Sequence, residues 1–345
     1  MRGQVLESSH RGHVVQVAAD GRIEYLLGDA EQVVTLRSAV KPFALLPLIE
    51  SGAADAFGIT PNELAVLASS HSGEDVHIRT LQSVLRRAGV SQGLLACGSD
   101  GMPLDQVTFL RLAGDREKPG PIRHMCSGYH SAFLLLSKFR GWPMDDYWRE
   151  EHPSQLALRD AVARVFGVRP DRLVMADDNC GVATFAFPLV DVARAYALLA
   201  DPGAATDARV GMAETLTRVR DAMVGSPEMV GGTRERLDTE LMRALPGALV
   251  AKGGAEGLRG ISILRGVRGR PTPAAGMAIS IDDGDPSGRA SAVVTIEALR
   301  QVGALDDAAL RRLEAFRRPV VRDPMGRAAA ETVARFELAP VAELA

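Results

Sequence analysis

Cysteine, aromatic residues and excess charge of either sign are all scarce in this chain. Three cysteines in 345 residues are too few for a disulfide framework and point to a reducing compartment. With 40 Lys+Arg against 43 Asp+Glu, the formal net charge is −3. That balance excludes a chain built to neutralise a phosphate backbone or an anionic membrane surface, so neither a nucleic acid nor a membrane is expected as a partner. Long apolar runs are missing as well. The most apolar one, Val182 to Ala200, is broken by Pro188, Asp191 and Arg194, so no membrane span is expected. The opening Met1-Arg2-Gly3-Gln4-Val5-Leu6-Glu7 lacks the apolar stretch of a signal peptide, and a cytoplasmic location follows. No internal repeat or low-complexity tract stands out. What is present is a hydrophobic fraction of 46 %, ample for a large buried core.

Strand patterns sit at the two ends. His13 to Val17 and Ile23 to Leu27 flank Asp20-Gly21 and predict a hairpin. Ala248 to Ala251, Gly260 to Leu264 and Ala278 to Ile281 are the late strands. Between them, apolar residues recur at helical spacing, as in Leu81, Val84, Leu85 and Ala88, and Thr60-Pro61-Asn62-Glu63 is a capping box. The expectation is a mixed α+β fold: a central antiparallel sheet of N- and C-terminal strands with a large helical insertion. The sheet lobe would take about 1–60 and 246–345, the helical lobe about 61–245. The arginine-rich tail, with Arg311-Arg312 and Arg317-Arg318, interleaves acidic residues and suits a solvated face.

Four segments carry candidate chemistry. In Arg37-Ser38-Ala39-Val40-Lys41-Pro42, the proline places Ser38 at a helix start and Lys41 one turn later. Ser38 as a simple N-cap is the plainer reading. Against it, a lysine in the first turn opposes the helix dipole, whereas a serine with a lysine base is what nucleophilic catalysis uses. Ser69-Ser70-His71-Ser72-Gly73-Glu74 stacks hydroxyls, an imidazole and a carboxylate on one turn, suited to proton relay or simply to a capped loop. Lys252-Gly253-Gly254 leaves a strand into either a plain hairpin turn or one where backbone N–H groups can approach an oxyanion. Last, Cys126 in His124-Met125-Cys126-Ser127-Gly128-Tyr129-His130 and Cys180 in Asp177-Asp178-Asn179-Cys180-Gly181 set two thiols among polar residues. They suit either a metal or inert burial, without a CxxC or HxxxH spacing to favour the metal. Cys97 has the blander surroundings of a packing residue.

Together these segments resemble the zinc-associated, rhizobial-type L-asparaginase family, from about residue 5 to 303. The resemblance also takes in Glu7-Ser8-Ser9-His10, His152-Pro153-Ser154-Gln155, the stretch from Pro227 to Glu240 and Asp283-Gly284-Asp285. It implies a fold similar to the serine β-lactamases and glutaminases, a homodimer, and two Ser–Lys pairs: Ser38 with Lys41, and Ser70 with Lys252. Ser38 would be the nucleophile and Lys41 its base, with Ser70 and Lys252 completing the proton network. Arg37, His71, Glu74, Asp178 and His130 would line the substrate, and zinc would be held by Cys126, Cys180 and a lysine. This chain departs at that lysine, where it has Tyr129. A phenol is longer, planar and normally protonated at neutral pH.

The resemblance implies hydrolysis of an asparagine-like carboxamide to the acid and ammonia. Two alternatives stand beside it. One is a serine amidase or acyl-transferring enzyme of a specialised pathway, with β-lactamase-like chemistry. The other is a non-catalytic ligand-binding homologue, prompted by Tyr129.

Overall fold

The computed structural model describes residues 1–98, 101–205, 208–266 and 273–341. They form two units, the first from residues 1–39, 187–204 and 240–345 and the second from 40–186 and 205–239.

The first unit is built on a six-stranded antiparallel sheet. Its order is Ala339–Pro340, Ile23–Leu27, Gly12–Ala18, Ala275–Ile281, Arg259–Ile263, Leu249–Gly253. The chain's N-terminal hairpin and its C-terminal strands therefore share one sheet, as the sequence pattern predicts. Ala275–Ile281, paired on both sides, is buried along its whole length, because the helix Leu189–Ala200 packs across it. Two glycines permit that approach. A Cβ on Gly276 would lie 2.0 Å from Ala193 O, and one on Gly260 would lie 2.0 Å from Tyr196 Cε2. Tyr196 then ties the helix to its surroundings: its Oη donates to Ala39 O at 2.8 Å, and Ser262 Oγ donates to Tyr196 O at 2.7 Å. The backbone just after Ser38 is thus pinned to the sheet through one buried phenol.

Asp285 closes the far turn of this unit. Its carboxylate accepts from the N–H groups of Arg289, Ala290 and Ser291, the place where a helix N-terminus favours an anion. His10 meets Asp283 at 2.8 Å, and Arg289 donates to Ser8 Oγ and to His10 Nε2. The sequence segments around residues 8–10 and 283–285 are therefore one clasp.

The second unit is mostly helical. Thr60 and Glu63 form the expected capping box on Pro61–Leu67. Helix Asp75–Arg87 buries Ile78, Leu81, Val84 and Leu85 along one face. Helix Ser127–Arg140 crosses Pro61–Leu67 so tightly that a Cβ on Gly128 would stand 2.0 Å from Val66 O. His152 caps Pro153–Phe166, whose Gln155 side chain donates to Tyr147 O.

One expectation needs correction. The helical insertion contains a β-hairpin, Val174–Asp177 against Ala183–Pro188. Phe185, Phe187 and Thr184 favour extended backbone, and their place inside a long apolar run concealed it. Residues 40–60 belong to the helical unit, while helix Leu189–Ala200 belongs to the sheet, since only the helix can cover the buried strand. Among the described residues, no helix is long and apolar enough to cross a membrane.

A methyl group at Gly276 has nowhere to go, because the atom it meets is backbone. The clash, about 1–3 kcal/mol, outweighs the smaller entropic gain of ~0.4–1 kcal/mol for replacing glycine. Gly276→Ala is therefore expected to lower the urea midpoint of unfolding, and an unchanged midpoint would refute the close approach.

Candidate active site

Ser38 lies in a 3₁₀ turn, Arg37–Val40, that leads directly into the helix Lys41–Ala44. The residue before it is unusual. Arg37 has φ = +46°, a left-handed conformation that costs a non-glycine residue about 1–3 kcal/mol and gathers at functional turns. The Lys252–Gly254 turn belongs to the same unit and approaches this backbone: a Cβ on Gly254 would be 2.9 Å from Leu36 O. Arg37 Nη1 stands 3.9 Å from Glu256 Oε1. Lys252 is buried and its Nζ donates to Gly253 O at 2.8 Å. Gly254 N–H is spent on Leu258 O at 2.8 Å.

In the helical unit, Lys41 is fully buried. Its Nζ donates to Ser69 O at 2.9 Å, Ser70 Oγ at 3.0 Å and Cys126 Sγ at 3.3 Å. The face of the Tyr129 ring lies 5.4 Å away. Sequence spacing pairs Lys41 with Ser38; this geometry also brings it to Ser70.

Ser70 is immobilised through its own backbone. Its N–H donates to Val230 O at 3.1 Å, and its C=O accepts from Arg236 Nη2 at 2.7 Å. Glu74 holds the segment that carries these partners. It accepts from Ser72 Oγ at 2.6 Å, from Thr233 N at 2.8 Å and from Thr233 Oγ1. Arg234 bridges on to Asp105 at 2.6 and 2.9 Å, and those bonds pull the Asp105 carboxyl down to about 2. Arg123 donates to Gly73 O at 2.9 Å. Gly73 has φ = +78°, with Arg123 O 2.7 Å from where a Cβ would be, so only glycine suits that bend. Sequence reasoning missed Arg236, Arg234, Thr233, Asp105 and Arg123. The run Gly231-Gly232-Thr233-Arg234-Glu235-Arg236, two glycines before alternating arginines, was the available signal.

The expected substrate-lining residues have most of their polar atoms occupied by the protein. His71 Nδ1 accepts from Gly73 N–H at 3.1 Å, so Nε2 carries the proton and donates to Ser127 Oγ at 2.8 Å. His130 Nδ1 meets Tyr147 Oη at 2.7 Å. Burial, reinforced by Lys41, holds His130 down at about 3 and His71 well below the ordinary histidine range. His77, stacked on His71 at 4.9 Å, is lowered by burial too. Asp178 accepts from Asn179 N–H at 2.6 Å in the hairpin turn.

Cys126 and Cys180 are buried and neither is in a disulfide. The interaction between the two thiols draws the Cys126 thiol down and pushes the Cys180 thiol up. Two thiols need at least one further protein ligand for zinc. Among the described residues, no three His, Cys, Asp or Glu side chains gather into a metal cluster. Tyr129 is driven upward by burial, and further by Cys180, Asp178 and Cys126, so it stays a neutral phenol. This donor set does not fit a zinc ion.

A family model described as L-asparaginase II matches residues 1–334. No curated protein matches the chain. Among solved structures, the Bacillus subtilis glutaminase YbgJ in covalent complex with 5-oxo-L-norleucine is similar at 14 % identity and a TM-score of 0.41, covering 87 % of this chain and 90 % of that one. A probable Bacillus subtilis glutaminase complexed with 6-diazo-5-oxo-L-norleucine is similar at 13 % identity, TM-score 0.40 and 88 % of each chain. Mglu in its native form is similar at 16 % identity and TM-score 0.39, over 87 % of this chain and 67 % of that one.

The three buried histidines are neutral when folded and bind protons at pH 6.5 once unfolded. Their folded-state pKa is depressed, so the stability they contribute is complete above about pH 6.5 and drains as pH falls. The loss is up to ~1.4 kcal/mol per pH unit for each. Urea midpoints are expected to fall between pH 7.5 and 5, above the range where Asp105 titrates. A flat profile across that window would show that the histidines are not buried neutral.

Proposed function

The chain belongs to the L-asparaginase II family and is a hydrolase of amide carbon–nitrogen bonds, and on that premise we propose that it cleaves the side-chain carboxamide of asparagine or an asparagine-like amide. Ser38 is the nucleophile in this reading and Lys41 its base. The observation that supports it most is a lysine at Ser-x-x-Lys spacing, fully buried, with its Nζ 3.0 Å from a second serine hydroxyl.

Once Lys41 has released one ammonium proton through Ser70, its amine takes the Ser38 Oγ proton as Oγ bonds to the carboxamide carbon. The resulting oxyanion collapses, and the leaving nitrogen departs as ammonia with the proton returned by Lys41. Water then adds to the acyl ester, giving up a proton to the same amine, and the acid leaves with Ser38 restored. Ser70, hydrogen-bonded to Lys41, relays protons. Because Gly254 N–H is committed to Leu258, the Lys252 turn contributes positive charge from the lysine rather than from that amide. The substrate is a small amide. The three free thiols suit a reducing, cytoplasmic setting, and a homodimer is the assembly this reading carries.

An acyl-transferring amidase acting on another substrate would use the same residues. A ligand-binding homologue would keep the pocket without turnover, and the intact Lys41–Ser70 contact favours hydrolysis over it. The discriminating experiment is a coupled ammonia assay across L-asparagine, L-glutamine, substituted asparagines and a chromogenic β-lactam. Ammonia release from an asparagine-type amide is expected, with Ser38→Ala and Lys41→Ala each losing about 10³-fold or more in kcat. An electrophilic asparagine analogue should add its mass to Ser38; labelling of Ser70 would exchange the two serines' roles. Silence toward every amide at high enzyme concentration would sink the hydrolase reading.

A further inference from the structure

We propose that Cys126 and Tyr129 are positioning residues for Lys41, and that with Cys180 they form a metal-free cradle at the place where the motif resemblance would put zinc. The inference rests on the reading of Lys41 as the base.

The hydrogen-bonding geometry is complete without a metal. An ammonium has three N–H bonds, and Lys41 directs them at Ser69 O, Ser70 Oγ and Cys126 Sγ. The remaining side of the lysine head lies against the Tyr129 ring, where a cation is attracted to the aromatic face. A zinc bound to Cys126 would sit ~2.3 Å from its sulfur. The lysine nitrogen already stands 3.3 Å from that atom, so two positive centres would compete for one sulfur in a dry site, where repulsion is strong. Tyr129 turns its ring face to the lysine head. Its Oη makes no hydrogen bond among the described residues. The ring, not the hydroxyl, is therefore what this side chain brings to Lys41.

The test begins with elemental analysis of full-length protein purified without chelator. Less than about 0.1 zinc per chain is expected, and activity is expected to survive EDTA. One zinc per chain, lost in Cys126→Ala, would overturn the proposal. Cys126→Ala should lower kcat about 10–100-fold with little change in KM, and Cys126→Ser, which keeps a hydrogen-bond acceptor but makes a poor zinc ligand, should restore most of it. Failure of serine to rescue would count against positioning. A readout independent of turnover is the thermal double-mutant cycle. Cys126→Ala should lower Tm in the parent protein but hardly at all when Lys41 is already Lys41→Met; additive losses would refute the coupling. Tyr129→Phe should hold the parent Tm, while Tyr129→Leu loses the ring face and several degrees. If the parent releases no ammonia, the hydrolase reading fails on its own, while zinc content and the thermal cycle still decide the cradle.

Discussion

The helical unit is organised around the head of one lysine that has no access to water. An amine taken out of water costs several kcal/mol unless each of its bonds finds a partner. Lys41 meets that demand with a carbonyl, a hydroxyl, a sulfur and an aromatic face, drawn from segments near residues 69, 126 and 129. None of these segments can shift without stranding a buried donor. Ser70 is accordingly fixed from both sides of its peptide, and Glu74, Arg234 and Asp105 secure the loop that fixes it. A charge-bearing network of this sort contributes placement more than net stability, because its desolvation offsets much of its attraction.

Small residues set how close the scaffold brings these groups. Gly128 lets its helix touch the backbone at Val66, one residue from Ser127 and two from Cys126. Within the sheet unit, Gly260 and Gly276 do the same for the helix that carries Tyr196, and Tyr196 in turn holds Ala39 O. The same device, a missing Cβ at a helix contact, thus recurs within each unit. Polar chemistry selects the residues at the site, whereas steric exclusion sets where they stand.

The strands at the two ends of the sheet and the amphipathic helices were legible in the sequence because each has a clean period: alternation in His13 to Val17, three-and-four spacing through Leu81, Val84 and Leu85. The hairpin at 174–188 was not, since a strand and a helix that follow one another through a continuous apolar run present no change of period at their junction. The candidate site divided in a similar way. Ser38, Lys41 and Ser70 announced themselves through residue type and spacing. Arg236 and Asp105 did not, because a long-range ion pair or backbone clamp leaves no local pattern; its partners are far apart in the chain, as with Arg236 and Ser70. The joint at 39/40 was also hidden, as Arg37 to Ala44 reads as a single helical start.

His71 and Glu74 show what a chemical motif leaves out when read by residue type alone. A histidine beside serines suggests proton transfer, yet transfer requires a nitrogen that can gain or lose a proton near working pH. His71 has both nitrogens committed, one accepting from Gly73 and one donating to Ser127, and burial keeps it neutral. Glu74 is equally committed, with both oxygens accepting from the Ser72–Thr233 bridge. These side chains are chosen for polarity, but their polarity is spent on holding the loop. Lys41 differs from them in having a thiol among its partners, beside a hydroxyl and a carbonyl. In the proposed reading the chemistry of the helical unit centres on Lys41 and Ser70, with Cys126 against the lysine head, and the surrounding motif holds them in place.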